Sequence, residues 1–353
     1  MDLGYFINII VPVVTFFCIY LIVVAALNLQ YGYAGIPNFG IYLSVIGGAI
    51  ITSVLPGRLL AAFYLSNTNL DFVKNNAAVV SLLNDKLQSD PATAISVLLL
   101  TITTSMVMGA FLGFIATFPA IRLKEDYLIM ALIAMGETLW TFGVYFEPIN
   151  GGRQEGVLLP DLFIWLGSPR LSGIAVLIFV STAAIIVFIL LKMITDSPFG
   201  RLLKAITDNE STAEHVGKNV TGVKLKVMML GSAIAALGGT FHSIYLKASI
   251  VGAYSRADWS FWPWLMLMVG GMGNNLGVCV GTSIIIIARR LLIQYKDLFT
   301  PYLPFDVFYL EPILLAIFLI LILFFRSGGI LGEEFPVHIR GVSKTEEDVR
   351  KNK

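Results

Sequence analysis

Residues 197–226 read SPFGRLLKAITDNESTAEHVGKNVTGVKLK, a polar island in a chain that is otherwise mostly lipid-soluble. Apolar runs long enough to cross a membrane lie on both sides of it. Ser197 is a good N-cap, and Pro198 fits a first helical position. Phe199, Leu202, Leu203 and Ile206 form one apolar face, with Arg201 and Lys204 off it. Thr207-x-x-Glu210 reads as a second capping box, opening a short helix through Ala213 and Val216 that Gly217 closes. Two short amphipathic helices between membrane spans suit docking into a groove on another protein. Helices lying on a lipid surface would prefer larger apolar anchors and a more basic face.

Composition sets the rest of the chain in a bilayer. Of 353 residues, 57% are hydrophobic and 13% charged, against about 25% charged in ordinary globular domains. The fold class that follows is all-α: a polytopic transmembrane helical bundle. The net charge of +1 gives no reason to expect a nucleic-acid partner. Cys18 and Cys279 sit inside apolar runs and read as small buried hydrophobes. The N-terminus lacks a basic region and a cleavage site, so the first apolar run reads as a retained helix.

A crossing needs about 20 mainly apolar residues. Such runs lie at 5–29, 38–55, 91–118, 127–146, 171–193, 227–246 and 308–325. Residues 261–293 are split by Gly270-Gly-Met-Gly273 and read as two half-helices around a hinge, for eight to nine passages in all. Asn28 to Gly40 holds three glycines and a proline, which predicts a broken segment at membrane depth. Irregular backbone survives there only against protein or a water-filled cavity, so Asn28, Tyr31, Tyr33 and Asn38 are candidate pathway residues. Glu137, central in its span, joins them, because a carboxylate there costs about 2.5–3.5 kcal/mol unless it faces protein or water. Gly109 and Gly113 form a small-xxx-small packing pair, and His242 reads as a packing residue.

Residues 56–90 form a polar loop with a short helix on Ala77, Val80, Leu83 and Leu87. The basic residues Lys192, Arg201, Lys204, Lys218, Lys224 and Lys226 put the island in the cytoplasm. Counting crossings then puts 56–90 outside. It puts the charged tail, 333–353, inside only if 261–293 makes two passages; Arg289 and Arg290 then lie near the outer side, against the charge rule.

No phosphate-binding Gly-x-x-x-x-Gly-Lys-Ser/Thr motif and no metal-ligand cluster occurs in the sequence. No catalytic residue and no cofactor is therefore expected on this chain. A channel, an ion-coupled carrier, or the membrane subunit of a machine powered from outside remains.

The island resembles the cytoplasmic loop of the branched-chain amino acid ABC transporter permeases. The residues that carry this are Ser197-Pro-Phe-Gly200-Arg201, Ala205-Ile, Asn209-Glu210, Ala213-Glu214 and Gly217. Other blocks are similar in the same order: Tyr31-Gly-Tyr-Ala-Gly35, Pro119-Ala-Ile-Arg-Leu123, Asp126-Tyr-Leu128, Gly136-Glu137, Gly151-Gly152 with Gly156, and Gly270-Gly-Met-Gly273 with Gly277 and Gly281. The resemblance implies a permease domain over 1–332. It also implies two cytoplasmic ABC ATPases carrying ATP and Mg, a second permease subunit and an external solute-binding protein. Residues 197–226 would be the ATPase-coupling loop. Departures fall at Ile36-Pro-Asn-Phe-Gly-Ile41, at Glu125, at Thr207 where arginine is usual, and at Asn274-Asn275. The first bears on the solute: branched-chain or related amino acids are expected, with urea or short amides as an alternative. An ion-coupled carrier in which Glu137 titrates is the rival reading.

Overall fold

The central helix is built mostly from small residues. The computed structural model describes residues 3–65, 71–150, 156–294, 310–325 and 329–332. Within it, α10 (Val220–Leu246) carries Gly231, Ser232, Ala233, Ala235, Ala236, Gly238 and Gly239, all buried. Against it pack α1 (Leu3–Leu27), α2 (Tyr42–Tyr64) and α4 (Pro91–Arg122). The contacts are backbone-close. A Cβ at Gly109 of α4 would lie 2.5 Å from the Ser232 carbonyl, and one at Gly113 2.6 Å from that of Met228. The Gly109–Gly113 pair is thus a packing seam, as the spacing predicts.

Outside this core stand α5 (Glu125–Tyr145), the short α6 (Glu147–Asn150) and α7 (Pro169–Asp196). The island folds as α8 (Pro198–Asp208) and α9 (Glu210–His215). After α10 come α11 (Trp262–Gly270), α12 (Asn275–Gln294) and α13 (Leu310–Phe325). Seven helices among the described residues are long and apolar enough to span a membrane. With the shorter α11 and α13, the polytopic bundle has the eight to nine passages expected.

The far end from the island is closed by α3 (Asn76–Leu87), which turns Val79, Val80, Leu83 and Leu87 inward. Ala77, expected on that face, is exposed. A two-residue antiparallel pair, β1 (Val157–Leu158) with β2 (Ala248–Ser249), ties the α6–α7 connection to the end of α10. Lys247, left-handed at φ 54°, ends α10 there and reaches Asp161 at 2.5 Å.

Several boundaries differ from the sequence reading. The second crossing starts at Tyr42 and runs through Pro56 to Tyr64. Proline in a helix costs one hydrogen bond and some strain, but Pro56 is buried, and Gly57 beside it lets the Phe72 ring pack against the backbone. The sixth crossing begins at Val220, where Asn219 accepts from the Gly222 amide at 2.8 Å. Lys224 and Lys226 are therefore inside α10, and the connection between spans narrows to 197–219.

The 261–293 region is a helical hairpin. Gly270 and Gly277 approach backbone to backbone, a Cβ at Gly281 would lie 2.1 Å from the Met266 carbonyl, and Trp262 packs beside Arg289. α11 and α12 are therefore antiparallel, turning at 271–274 on the island side. Only α11 is a half-helix; α12 has 20 residues. Gly151, Gly152 and the 333–353 tail lie outside the described residues.

Candidate functional site

Ser197 begins the island by capping: its Oγ accepts from the Phe199 amide at 3.1 Å and donates to the Ile194 carbonyl at 2.6 Å. The chain doubles back so tightly that a Cβ at Gly200 would lie 1.9 Å from the Thr195 carbonyl, leaving room only for glycine. Leu203 and Ile206 turn inward with Gly200, while Phe199 and Leu202 are half-buried. Arg201 and Ala205 face outward and are exposed.

The second cap is Asn209, not Thr207. Asn209 is extended at φ −158°, and its Oδ1 accepts from the Thr212 amide at 2.9 Å. It ends α8 and starts α9 in one residue. Ala213 is the buried residue of α9. Gly217, at φ +80°, closes the turn in a Schellman arrangement: Lys218 N–H to the Ala213 carbonyl at 3.1 Å and Gly217 N–H to that of Glu214 at 2.9 Å. Glu210 is held by Lys224, whose Nζ lies 2.7 Å from both carboxylate oxygens. Glu210 thus ties α9 to α10 while remaining exposed, on the same footing as Arg201 and Ala205.

Thr207 lies inside α8 and faces the predicted broken segment. Its hydroxyl is 2.9 Å from the Tyr33 carbonyl and 3.1 Å from that of Leu203. Gly35, at φ +67°, passes beside it, so that a Cβ there would lie 3.1 Å from Thr207 Cγ2. The Lys204 ammonium sits 5.3 Å from the centre of the Tyr33 ring.

The broken segment is a π-helical turn, Asn28–Tyr33, followed by irregular backbone to Ile41. π-turns inside helices are frequent at functional sites. Gln30 donates toward the Met228 carbonyl and Ser232, and accepts from Asn38 Nδ2 at 2.8 Å. The Trp264 indole donates to the Asn38 carbonyl at 3.3 Å, stacks on Phe39 and contacts Tyr31. Asn38 Oδ1 is buried with no partner among the described residues. Asn28 Oδ1 accepts from the Gly273 amide at 3.0 Å, and its Nδ2 donates to Asn275 Oδ1 at 3.1 Å. Asn275 in turn donates to Thr195 Oγ1 at 2.8 Å. One chain of hydrogen bonds thus joins the island's tight turn to both breaks, at 28–33 and at 271–274.

Four of the five pathway candidates, Asn28, Tyr31, Tyr33 and Asn38, are gathered here. Glu137 is elsewhere: it pairs with Arg256 Nε at 2.8 Å and accepts from Tyr42 OH at 3.1 Å. Gln30, Thr195 and Arg256 were not singled out from sequence. Gln30 carried a signal, as an amide inside the broken stretch; Thr195 fell in the short gap between the 171–193 run and the island and carried none.

Comparison with known proteins gives the family. A family model described as "Branched-chain amino acid transport system / permease component" matches residues 9–334. The chain is 34% identical over 330 residues to the "Probable branched-chain amino acid transport permease protein LivM" of Methanocaldococcus jannaschii, covering 93% of this chain and 94% of that one. It is 22% identical over 213 residues to the "High-affinity branched-chain amino acid transport system permease protein LivM" of Salmonella typhimurium, 54% of this chain and 50% of that one. It is 25% identical over 192 residues to the "Ribose import permease protein RbsC" of Haemophilus influenzae, 53% of this chain and 58% of that one. No solved structure matches. With the family model spanning nearly the whole chain and seven span-length helices beneath it, this is a multi-pass membrane protein of the branched-chain amino acid transport permease family.

Proposed function

We propose that the chain is the permease subunit of an ATP-driven importer that moves branched-chain or related amino acids inward by alternating access. Two cytoplasmic ABC ATPases dock on the exposed Arg201–Ala205 side of the island and carry ATP and Mg. A second permease, identical or homologous, completes the membrane unit, and an external solute-binding protein delivers the solute. The observation that carries this reading is the grip of α8 on the broken segment through Thr207, Lys204, Tyr33 and Gly35. A push on the outward side of α8 reaches pathway backbone without an intervening element. The names of the two branched-chain amino acid permeases among its relatives support an amino acid as solute.

The test is reconstitution with the ATPases and the binding protein. Arg201→Glu should cut uptake by about tenfold or more while ATP hydrolysis continues, the effect of losing a charged contact worth about 1.5–3 kcal/mol. Normal coupling in that variant overturns the assignment. Uptake by the purified chain alone, abolished by a protonophore, would replace it with an ion-coupled carrier.

A further inference from the structure

Asn28, Gln30, Tyr33 and Asn38 are buried and meet no open space in this conformation. The broken segment therefore backs the pathway, and the wetted front lies elsewhere. α4 and α7 do not supply it, because both carry charged residues only near their ends.

Glu137 on α5 is different. It lies about 18 Å along that 21-residue helix, near the middle of a hydrocarbon core about 30 Å thick. It pairs with Arg256 Nε at 2.8 Å, yet the Arg256 and Glu137 side chains are 49% and 38% exposed. At such depth a charge is retained only where it faces protein or water. Tyr42 OH donates to Glu137 Oε1, while Oε2 and the terminal nitrogens of Arg256 have no hydrogen-bond partner among the described residues. Water fills such valences in any number and direction, whereas a packed subunit would have to bring a matched set. Ala134 and Thr141 lie one turn before and after Glu137 on its side of the helix, and both are exposed.

The same surface is tied to the broken segment. Arg256 heads a second π-helical turn, Ala257–Phe261, which leads into α11. Ser260 Oγ of that turn donates to the Phe39 carbonyl at 2.7 Å, and a Cβ at Gly40 would lie 2.5 Å from the Leu132 carbonyl of α5. Asn38, bonded to Gln30, holds the other end of this short stretch to the turn at 28–33.

We propose that Glu137 and Arg256 stand in the wetted wall of the translocation pathway, which runs along the Ala134–Thr141 face of α5. The two opposite charges are held together, so the wall is water-lined there without a net charge. Displacement of the broken segment by α8 reaches this wall through residues 38–41. The assignment rests on the permease reading and names the surface of the chain that the solute passes.

The experiment uses the full chain, with Cys18→Ala and Cys279→Ala, assembled with its partner subunits in proteoliposomes. Ala134→Cys, Thr141→Cys and Ile185→Cys are introduced singly and treated with a membrane-impermeant cationic methanethiosulfonate. Ile185, 59% exposed on α7, is the lipid-facing reference. Ala134→Cys and Thr141→Cys should react at least about tenfold faster than Ile185→Cys, because a thiol in hydrocarbon stays un-ionised and the charged reagent does not enter. Reaction at either position should then abolish tritiated L-leucine uptake, compared in the same variant before and after treatment. Rates as slow as that of Ile185→Cys at both positions, in a complex that still couples ATP hydrolysis to uptake, overturn the assignment and leave the permease reading standing, whether lipid or another subunit covers the face. Fast reaction that leaves uptake intact makes the face a wet crevice off the pathway and equally overturns it. A complex whose unaltered form never couples ATP hydrolysis to uptake sinks the permease reading instead, while the relative reaction rates still decide whether the face is wet.

Discussion

α7 and α10 are nearly equal in length, 28 and 27 residues, and are packed in opposite ways. α7 is mostly Ile, Val, Leu and Phe, yet it buries one stripe: Ser172, Val176, Val180, Ala184, Val187, Leu191 and Thr195, spaced by three or four. Ile178, Ile185, Ile186 and Ile189 point outward and are exposed. α10, rich in glycine, alanine and serine, is buried nearly all round through its middle. Between helices in lipid the hydrophobic effect gives no preference for burying isoleucine over exposing it. What decides position is how closely a backbone can be approached. Of these two helices, the less apolar one therefore occupies the centre and the more apolar one stands at the rim.

The sharpest way to break that comparison is to enlarge one residue in each helix. At Gly239 a Cβ would lie 1.9 Å from the Val45 carbonyl, a backbone atom that cannot turn aside. Gly239→Leu should destabilise the protein by about 3 kcal/mol or more in detergent unfolding. Ile186→Phe on the exposed face of α7 should stay within about 0.5 kcal/mol. Equal losses would mean that close approach is not what holds α10 at the centre.

Next in size is Asn28→Leu. It strips the Gly273 amide of its acceptor and should cost about 1–3 kcal/mol. If instead it is neutral, the hydrogen-bond chain from Thr195 to Gly273 contributes little to the core. Asn209→Ala removes only a cap at the surface and should cost about 1 kcal/mol, read as faster amide exchange over 210–215 with the spans unchanged.

The smallest effect is expected at the far end. Hydrogen bonds from Tyr64 and Thr93 hold the Asp90 carboxyl below its ordinary 3.8. Because the folded value is the lower one, the stabilisation is complete above the ordinary value and is lost as pH falls through the folded value. Unfolding followed from pH 6 downward should show that loss, and Asp90→Asn should remove it. An unaltered pH profile in Asp90→Asn would show that the cap is not the titrating group.

The spans were legible because a run of about 20 apolar residues has few alternative readings. Their ends were less so. Pro56 and Arg58 looked like loop, but Pro56 is buried and Arg58 donates to the Pro148 carbonyl, so the helix continues past both. Thr207 matched a capping pattern, and Asn209 holds the cap because its Oδ1 faces the Thr212 amide. In the candidate site, two residues whose role is local were readable: Ser197 caps and Gly217 closes, whereas the tight turn at Gly200 is visible only in the fold. Glu210 was read as a coupling residue; it is exposed, and only the fold shows that Lys224 also holds it. The Asn28–Asn275 bond joins residues 247 apart in sequence, and no spacing rule announces such a pair.

The contact of Thr207 with Tyr33 and Gly35 limits how this loop can be exchanged. A segment used by a partner looks like an interchangeable cartridge, to be cut at Ser197 and Asn219 and replaced by that of a relative. Its outward residues, Arg201 and Ala205, would transfer freely. Position 207 would not, because a longer side chain there enters the space beside Gly35 and loses the short hydroxyl that meets the Tyr33 carbonyl. Chimaeric permeases should therefore be cut to carry residues 31–35 along with the loop, two stretches that behave as a single inherited part.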